Sequence, residues 1–331
     1  MTAARERPIW QVSGGPTDRP YCDLFLRCGI ALIGPGDVGP WRPGAEDIPD
    51  LPQSVAYFAQ GPSVGDTVIL RCGVSTMAAV GIIASDYLYL TQFDDVRGWD
   101  LQHARRVRWF ELPEPHDFGR HVFRACRFSQ VWDEEVKDHV RMITGSSLAR
   151  WKTAPLPALP EEEPELVELP PRLGPLIGEV HDLLGLYWGA DYPNSLPAED
   201  ETVAHVVVPF LKAIGWRSEH IAIKWRDIDV ALLDPPQREP GNVRFVIEAK
   251  RLGYGLEGAL DQAKGYVTKL DVPPETVHII VTDGIRYRLY VAGPEGGYSQ
   301  AAYANFERLK LGAAALFGRL TYPPQGQGEQ Q

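Results

Sequence analysis

The stretch RDIDVALLDPPQREPGNVRFVIEAK, residues 226–250, decides the fold of the carboxy-terminal half. It holds two apolar runs, and each run has acidic residues at one end. On a β-strand, residues two apart lie on the same face, so Glu248 and Lys250 point the same way. By the same spacing, Asp227 and Asp229 share a face at the start of the first run. The stretch therefore predicts two neighbouring strands that gather carboxylates and an ammonium group.

Two carboxylates and a lysine at neighbouring strand ends suit metal-assisted hydrolysis. Mg²⁺ binds proteins through one or two carboxylates and keeps several of its waters. A bound ion polarises a phosphate oxygen and lowers the pKa of its water, while a lysine orients or activates that water. We interpret Asp229 and Glu248 as ligands for Mg²⁺, with Mn²⁺ able to substitute, and Lys250 as a catalytic group. Short motifs of this kind also mark ordinary strand ends, so the surroundings carry weight.

The rest of this half predicts an α/β fold around a mixed sheet. Helical and strand-like segments alternate there, as in folds with helices packed on a central sheet. The predicted helices span 175–188, 199–214 and 257–270, and the predicted strands span 228–233, 243–250, 277–282 and 286–292.

The amino-terminal half has a different pattern. Short β-like runs are separated by Gly, Pro and Asp, which predicts a small, mostly β barrel. The runs span 8–14, 29–34, 66–72, 78–85 and 105–112, with helices predicted over 21–27 and 133–142.

A proline-rich and glutamate-rich segment separates the two halves. Residues 151–175 favour a semi-extended linker, because proline promotes polyproline II and the glutamates repel one another. A chain of 331 residues is also long enough for two cores. We therefore predict domains over 1–150 and 176–331.

Composition limits the possible functions. The net charge of −11 argues against nonspecific nucleic-acid binding but is compatible with a nuclease that holds metal with carboxylates. No apolar run approaches the ~20 residues that span a bilayer, and the start lacks a signal peptide, so we expect a cytoplasmic protein without membrane contact. The four cysteines form no CxxC pair, and no GxxxxGK[ST] motif for ATP occurs.

Residues 199–292 resemble the PD-(D/E)xK nuclease superfamily, most closely the amino-terminal nuclease domain of type I restriction motor subunits. The resemblance implies a restriction-endonuclease-like fold with a mixed central sheet. It places Gln262 and an acid of the opening helix, Glu199 or Glu201, in the catalytic set, and we favour Glu199. The matching features are ETVAHVVVPFLKAIGW at 201–216, Asp229, Glu248-Ala249-Lys250, the substrate-binding Tyr266 four residues after Gln262, and TDGIRYRLY at 282–290 with Asp283 in place of Asn.

Residues 9–112 resemble PUA-like domains, the superfamily of the EVE and YTH readers, in the version that precedes Mrr-type restriction nucleases. The similar segments are IWQVSGG, GDTVILR, GIIASDYLY and RRVRWFEL, and Pro35 stands where that group has Trp. Such domains hold a flipped or modified base between aromatic rings. The resemblance implies a base or ligand pocket, for which we predict Trp10, Asp86 and Tyr87.

Together these features predict a modification-dependent, type IV-like restriction endonuclease or a related phage-defence nuclease that hydrolyses DNA with Mg²⁺. Its partner is DNA carrying modified bases. A homodimer is plausible, since one active site cuts one strand. The alternative is a non-cleaving or partner-activated reader of nucleic acid or nucleotide, and a third possibility makes the amino-terminal domain a sensor of a free nucleotide. A cluster of six arginines is predicted to follow the DNA backbone, and ordinary solvated strand and helix faces would explain the cluster equally well. The six are Arg105, Arg106, Arg108, Arg120, Arg124 and Arg127.

Overall fold

The computed structural model of the chain divides into two compact units, Met1–Glu162 (unit 1) and Glu163–Gln331 (unit 2). No helix among the described residues has the length and apolar character needed to cross a membrane. The structure describes residues 7–15, 21–36, 38–42, 53–96, 98–145, 153–188, 198–256, 258–293 and 297–322.

Unit 1 is a curled, half-barrel sheet with helices packed on it. The order of its strands is β2-β6-β4-β3-β1-β7, with β5 also paired to β6, and only the β1–β3 pair is parallel among the described strands. The strands are β1 Ile9–Ser13, β2 Ile30–Ile33, β3 Thr67–Cys72, β4 Thr76–Ile83, β5 Leu88–Tyr89, β6 His103–Asp117 and β7 Phe128–Gln130; the helices are α1 Cys22–Cys28, α2 Gln53–Gln60 and α3 Glu134–Thr144.

Both faces of this sheet are buried. Neighbouring residues of β3 enter different apolar clusters, with Val68 and Leu70 in one and Ile69 in the other, as strand alternation requires. The predicted strands and the two predicted helices of this half are present with ends that differ by a few residues. Helix α2 and strand β7 were not predicted.

Unit 2 has a six-stranded mixed sheet in the order β13-β12-β11-β10-β9-β8. Only β10 and β11 are parallel among the described strands, and a helix connects them, as a parallel crossover requires. The strands are β8 Ile221–Trp225, β9 Ile228–Leu233, β10 Val243–Ala249, β11 His278–Thr282, β12 Arg286–Ala292 and β13 Tyr298–Asn305; the helices are α4 Leu173–Trp188, α5 (Glu199–Thr202, the π-helical Val203–Val207 and Val208–Ala213), α6 Ala259–Leu270 and α7 Ala313–Leu320.

Helices cover both faces of the unit 2 sheet. Val230 and Leu232 of β9 pack in the cluster that contains α4, α5 and α7, whereas Ala231 and Leu233 pack in the cluster that contains α6. An α/β fold around a mixed sheet is therefore present, as predicted. Because β9 and β10 are buried on both faces, a charged side chain at their ends is held in low-dielectric surroundings.

The prediction that Asp227 shares a strand face with Asp229 is wrong. Arg226 and Asp227 form a two-residue turn between β8 and β9, with φ of 54° and 65°. Positive φ at both positions is typical of the type I′ turn that closes tight hairpins. The hairpin partner β8 was not predicted.

Extended residues of the predicted linker are bound within each unit. In unit 1, the carbonyl oxygens of Ala154 and Pro157 accept hydrogen bonds from arginines of β6. In unit 2, the Leu166 N–H donates to the Leu309 carbonyl oxygen at 2.9 Å. Between 153 and 170 the described segment has no helix and is paired with its neighbours rather than free, whereas its last residues, from Leu173, begin helix α4.

Candidate active site

Asp229 and Glu248 lie across from each other on the paired strands β9 and β10. The register that joins Ile247 to Val230 continues to this pair. Both side chains are buried, and Glu248 has no exposed surface. The Ala249 N–H donates to Asp229 Oδ2 at 2.9 Å, which fixes one carboxylate against the neighbouring strand.

Lys250 connects Glu248 to helix α6. Its Nζ lies 2.6 Å from Glu248 Oε1 and donates to Gln262 Oε1 at 2.9 Å. Gln262 Nε2 then donates to the Tyr266 hydroxyl at 2.8 Å. The i, i+4 spacing on the helix places these last two side chains one above the other. The structure thus brings the predicted residues of β10 and α6 into one chain of hydrogen bonds.

The two acids of the opening helix have different positions. Glu199 Oε1 lies 3.9 Å from Lys250 Nζ, and its side chain is partly exposed. Glu201 instead accepts the backbone N–H of Ala198 at 2.7 Å, at the start of the helix. Glu199 therefore lies at the site, while Glu201 caps its own helix.

Burial and charge shift the pKa of two site residues. Burial raises the pKa of Glu248 to about 7, although the hydrogen bond from Lys250 opposes the shift, and the nearby Asp229 charge adds to it. For Lys250, burial favours the neutral amine, but the hydrogen bond to Glu248 and the negative charges of Glu248, Glu199 and Asp229 together outweigh it, so the pKa of Lys250 is raised. At neutral pH the site thus holds a charged lysine beside a carboxyl group that readily takes up a proton.

Lys224 is a further site residue that the sequence did not reveal. It lies across the β8–β9 hairpin from Asp229, and its Nζ is 2.7 Å from Asp229 Oδ1 and 3.0 Å from Asp200 Oδ1. The bond to Asp229 raises the pKa of Lys224. The sequence feature that could have predicted this strand is IAIKW, a short alternating run before the turn. It is followed by Arg-Asp instead of a familiar hairpin dipeptide such as Asn-Gly.

Asp283 organises the loops beside the site. It is fully buried at the turn after β11, and it accepts the Gly255 N–H at 3.0 Å and the Arg286 guanidinium at 2.7 Å. Its backbone carbonyl also accepts the Gly253 N–H. The loop that follows Lys250 is therefore anchored to the β11–β12 turn.

The donor set fits a hard divalent cation. Glu248 Oε2 is buried and has no hydrogen-bond partner in the described part of the chain, so one carboxylate oxygen is left for a ligand. Within the described ranges no group of three or more His, Cys, Asp or Glu is placed to hold an ion. Mg²⁺ does not require one, since one or two carboxylates, waters and substrate phosphates complete its shell. Asp229 and Glu248 suit Mg²⁺ better than a zinc ion, which favours sulfur and nitrogen ligands.

The aromatic residues predicted for unit 1 have separate roles. Trp10 is buried, stacks on Phe128 with centroids 5.3 Å apart, and donates its indole N–H to Asp66 at 3.0 Å. A ring enclosed in this way packs the core and has no face for a base. The Tyr87 hydroxyl accepts the backbone N–H of Trp41 at 2.9 Å and lies 2.8 Å from His103 Nδ1.

Asp86 is exposed beside Tyr87, and neither of them nor Trp10 is among the described lining residues of the large cavity of unit 1. The six arginines also do not form one surface. Arg105 is buried and donates to backbone carbonyls, and Arg120 pairs with Asp133 and Glu135. Arg124 and Arg127 remain exposed.

Comparison with known proteins adds one finding. Residues 45–125, within unit 1, match the profile of a family described as a domain of unknown function, DUF8426. A comparison with curated proteins gives no match. The matched family carries no stated activity, so the functional argument depends on the geometry of the site.

Proposed function

We propose that the protein is a Mg²⁺-dependent DNA endonuclease of the modification-dependent, type IV-like restriction class, with its active site in unit 2. One observation carries this proposal: Lys250 Nζ binds both Glu248 and Gln262 beside the buried Asp229. A half-buried lysine held between a fully buried carboxylate and an amide, with one carboxylate oxygen unpaired, is costly to assemble for stability alone. It is well suited to bind a metal and a phosphate.

The residues have distinct roles in this proposal. Asp229 and Glu248 would hold the metal, which would polarise the scissile phosphate and lower the pKa of a bound water. Lys250 donates a hydrogen bond to the attacking water or to the phosphate. Gln262 holds Lys250 in place, and Tyr266 restrains Gln262. Glu199, at 3.9 Å from Lys250, adds negative charge that keeps the lysine protonated.

Under this proposal unit 2 has the restriction-endonuclease-like fold, and unit 1 is a PUA-like reader of modified bases. The parallel β10–α6–β11 crossover supports the first assignment, because it places Gln262 over the end of β10. The curled sheet of unit 1 supports the second. Cleavage follows recognition, so the intended substrate is DNA with a modified base.

The test is cleavage of plasmids that carry different cytosine and adenine modifications. Wild-type protein with Mg²⁺ or Mn²⁺ should cut at least one modified plasmid, and EDTA should stop the reaction. Asp229→Ala and Lys250→Ala should each lose at least about a hundredfold in rate, because each removes a group that acts in the transition state. If no substrate is cut, or if both variants cut like wild type, the proposal is wrong.

A second candidate, a reader that a partner protein activates or that does not cut, is favoured by Lys224. Its ammonium group neutralises Asp229 at 2.7 Å and therefore competes with a metal for that carboxylate. Under this alternative, modified DNA binds the purified protein, Mg²⁺ produces no cleavage, and Lys224→Met restores cleavage because the competing charge is gone.

A further inference from the structure

Unit 1 contains a cavity of about 890 Å³ that was not expected from the sequence. Its volume lies within the range of about 300–1,000 Å³ that ligand pockets occupy. It adjoins the last residues of β1 and β3. The predicted Trp10, Asp86 and Tyr87 are not among its described lining residues; those that matter here are Ser13, Tyr21, Arg71, Trp99, Asp100 and Arg127.

Arg71 is a buried cation in the wall of this cavity. Its side chain is 5% exposed, and its two terminal nitrogens donate to the backbone carbonyls of Gly73 and Cys126. Its Nε is buried and has no partner among the described residues. No carboxylate in the described ranges forms an ion pair with it. Burying an unpaired charge is expensive, so a guanidinium in this state favours an anionic ligand.

The acidic groups whose charge acts on Arg71 do not supply a full counter-charge. They are the thiols of Cys126 and Cys72 and the phenol of Tyr21, and burial outweighs their effect, so the pKa of Arg71 is lowered. A phosphate would supply the missing charge, and the planar fork of a guanidinium matches its oxygens.

The cavity also contains an aromatic side chain, Trp99, on which a flat ring could stack. This residue is 36% exposed although it lines the cavity. The exposed Arg127 also lines the cavity and adds a second positive charge. Asp100 also lines the cavity. An arginine pair with an aromatic face is the combination that binds a nucleotide.

We propose that this cavity is the ligand site of unit 1 and that it takes a nucleoside 5′-phosphate group, with the phosphate at Arg71 and Arg127 and the base against Trp99. The inference rests on the proposed reading of modified DNA, and it deepens that function by naming the site and its ligand chemistry. The same group occurs in a free mononucleotide and in a nucleotide turned out of a DNA strand.

Calorimetric titration of the full chain tests the proposal. The probes are dCMP, 5-methyl-dCMP, deoxycytidine, and a duplex oligonucleotide with and without 5-methylcytosine. The nucleotides should bind at least about tenfold more tightly than deoxycytidine, because the phosphate gains charge-assisted hydrogen bonds. If only the oligonucleotides bind, with the same dependence on Arg127, the ligand is a nucleotide within DNA. If no probe binds, the proposal is overturned.

Matched variants locate the binding. Arg127→Gln and Trp99→Ala should each weaken binding by about tenfold, whereas Arg124→Gln, an equally exposed arginine outside the cavity wall, and Trp132→Ala, an exposed tryptophan outside it, should not. Arg71→Lys keeps the charge but loses the fork, and it should also weaken binding if the variant folds. Binding that is unchanged in Arg127→Gln and in Trp99→Ala overturns the proposal.

The nuclease proposal can be tested independently of the cavity proposal. Mg²⁺-dependent plasmid cleavage is measured on the same preparations, and Asp229→Ala should abolish it without changing the affinity for mononucleotides. Nucleotide binding that depends on Arg127, together with no cleavage of any DNA, would leave the cavity assignment standing and remove only the nuclease.

Discussion

Glu248 makes the free energy of unfolding depend on pH. Its carboxyl group has no exposed surface, and burial raises its pKa from 4.5 to about 7. Because the folded chain binds this proton more tightly, the stabilisation is complete below about pH 4.5 and is lost as the pH rises through 7. We predict that the metal-free protein loses up to about 3 kcal/mol of unfolding free energy between pH 5 and 8 through this group.

The measurement is urea unfolding in EDTA at pH 5 and pH 8. Glu248→Gln keeps an acceptor for Lys250 but cannot ionise, so the loss between the two pH values should be smaller in this variant by about the same amount. Glu275→Gln changes an exposed carboxylate and serves as the control. An equal loss in Glu248→Gln and wild type would show that the buried carboxyl group is not responsible.

Lys224 is a second single residue whose charge affects the site, here through the affinity for a metal ion. Its ammonium group shares Asp229 with any bound cation, and its side chain is 48% exposed, so the pair is worth only about 0.2–1 kcal/mol. We predict that Lys224→Met lowers the Mg²⁺ concentration for half-maximal binding by up to about fivefold. Titration of Mg²⁺ by calorimetry measures this, with Lys264→Met, a similarly exposed lysine paired with Asp261, as the control. An unchanged or higher requirement would contradict it.

At the scale of elements, the turn after β11 holds the loop that follows β10. Asp283 accepts three backbone N–H groups, those of Gly255, Ile285 and Arg286, besides its ion pair. We predict that Asp283→Ala costs about 3–5 kcal/mol of unfolding free energy, since it removes the fully buried acceptor of three backbone N–H groups and of the Arg286 guanidinium. Asp283→Asn keeps acceptors and should cost about 1–3 kcal/mol. Thermal unfolding measures both, and an alanine variant as stable as the asparagine variant would contradict the ranking.

Secondary-structure elements could be predicted where hydrophobic residues repeat with one clear period. The prediction failed where the structure depends on a contact between residues distant in sequence. The run IDVALL alternates between two apolar clusters and is found as strand β9, whereas IAIKW became β8 only because β9 is available to pair with it. The four-residue spacing alone predicted that Tyr266 lies on the same helix face as Gln262. Trp10 could not be assigned, since its enclosure depends on Phe128 and Asp66, more than fifty residues away.

At the scale of the whole molecule, each unit has its own core. The apolar clusters of unit 1 and those of unit 2 share no described residue. The start of unit 2 is also bound within it, since Leu166 and Leu169 pack on its main cluster and the Leu311 N–H donates to the Pro164 carbonyl oxygen. A fragment cut between Glu162 and Glu163 should therefore keep every apolar contact that forms each core.

We predict that fragments 1–162 and 163–331, expressed separately, each unfold in one cooperative thermal transition. A third fragment, 171–331, lacks the half-buried Leu166 and Leu169 and should melt at least about 4 °C lower than 163–331. Burial of each leucine contributes on the order of 1 kcal/mol or more, and each kcal/mol is worth about 2–4 °C in a chain of this size. Scanning calorimetry measures all three. If fragment 163–331 unfolds without cooperativity unless fragment 1–162 is added, the two units do not fold independently and the separate assignment of reader and nuclease loses its structural basis.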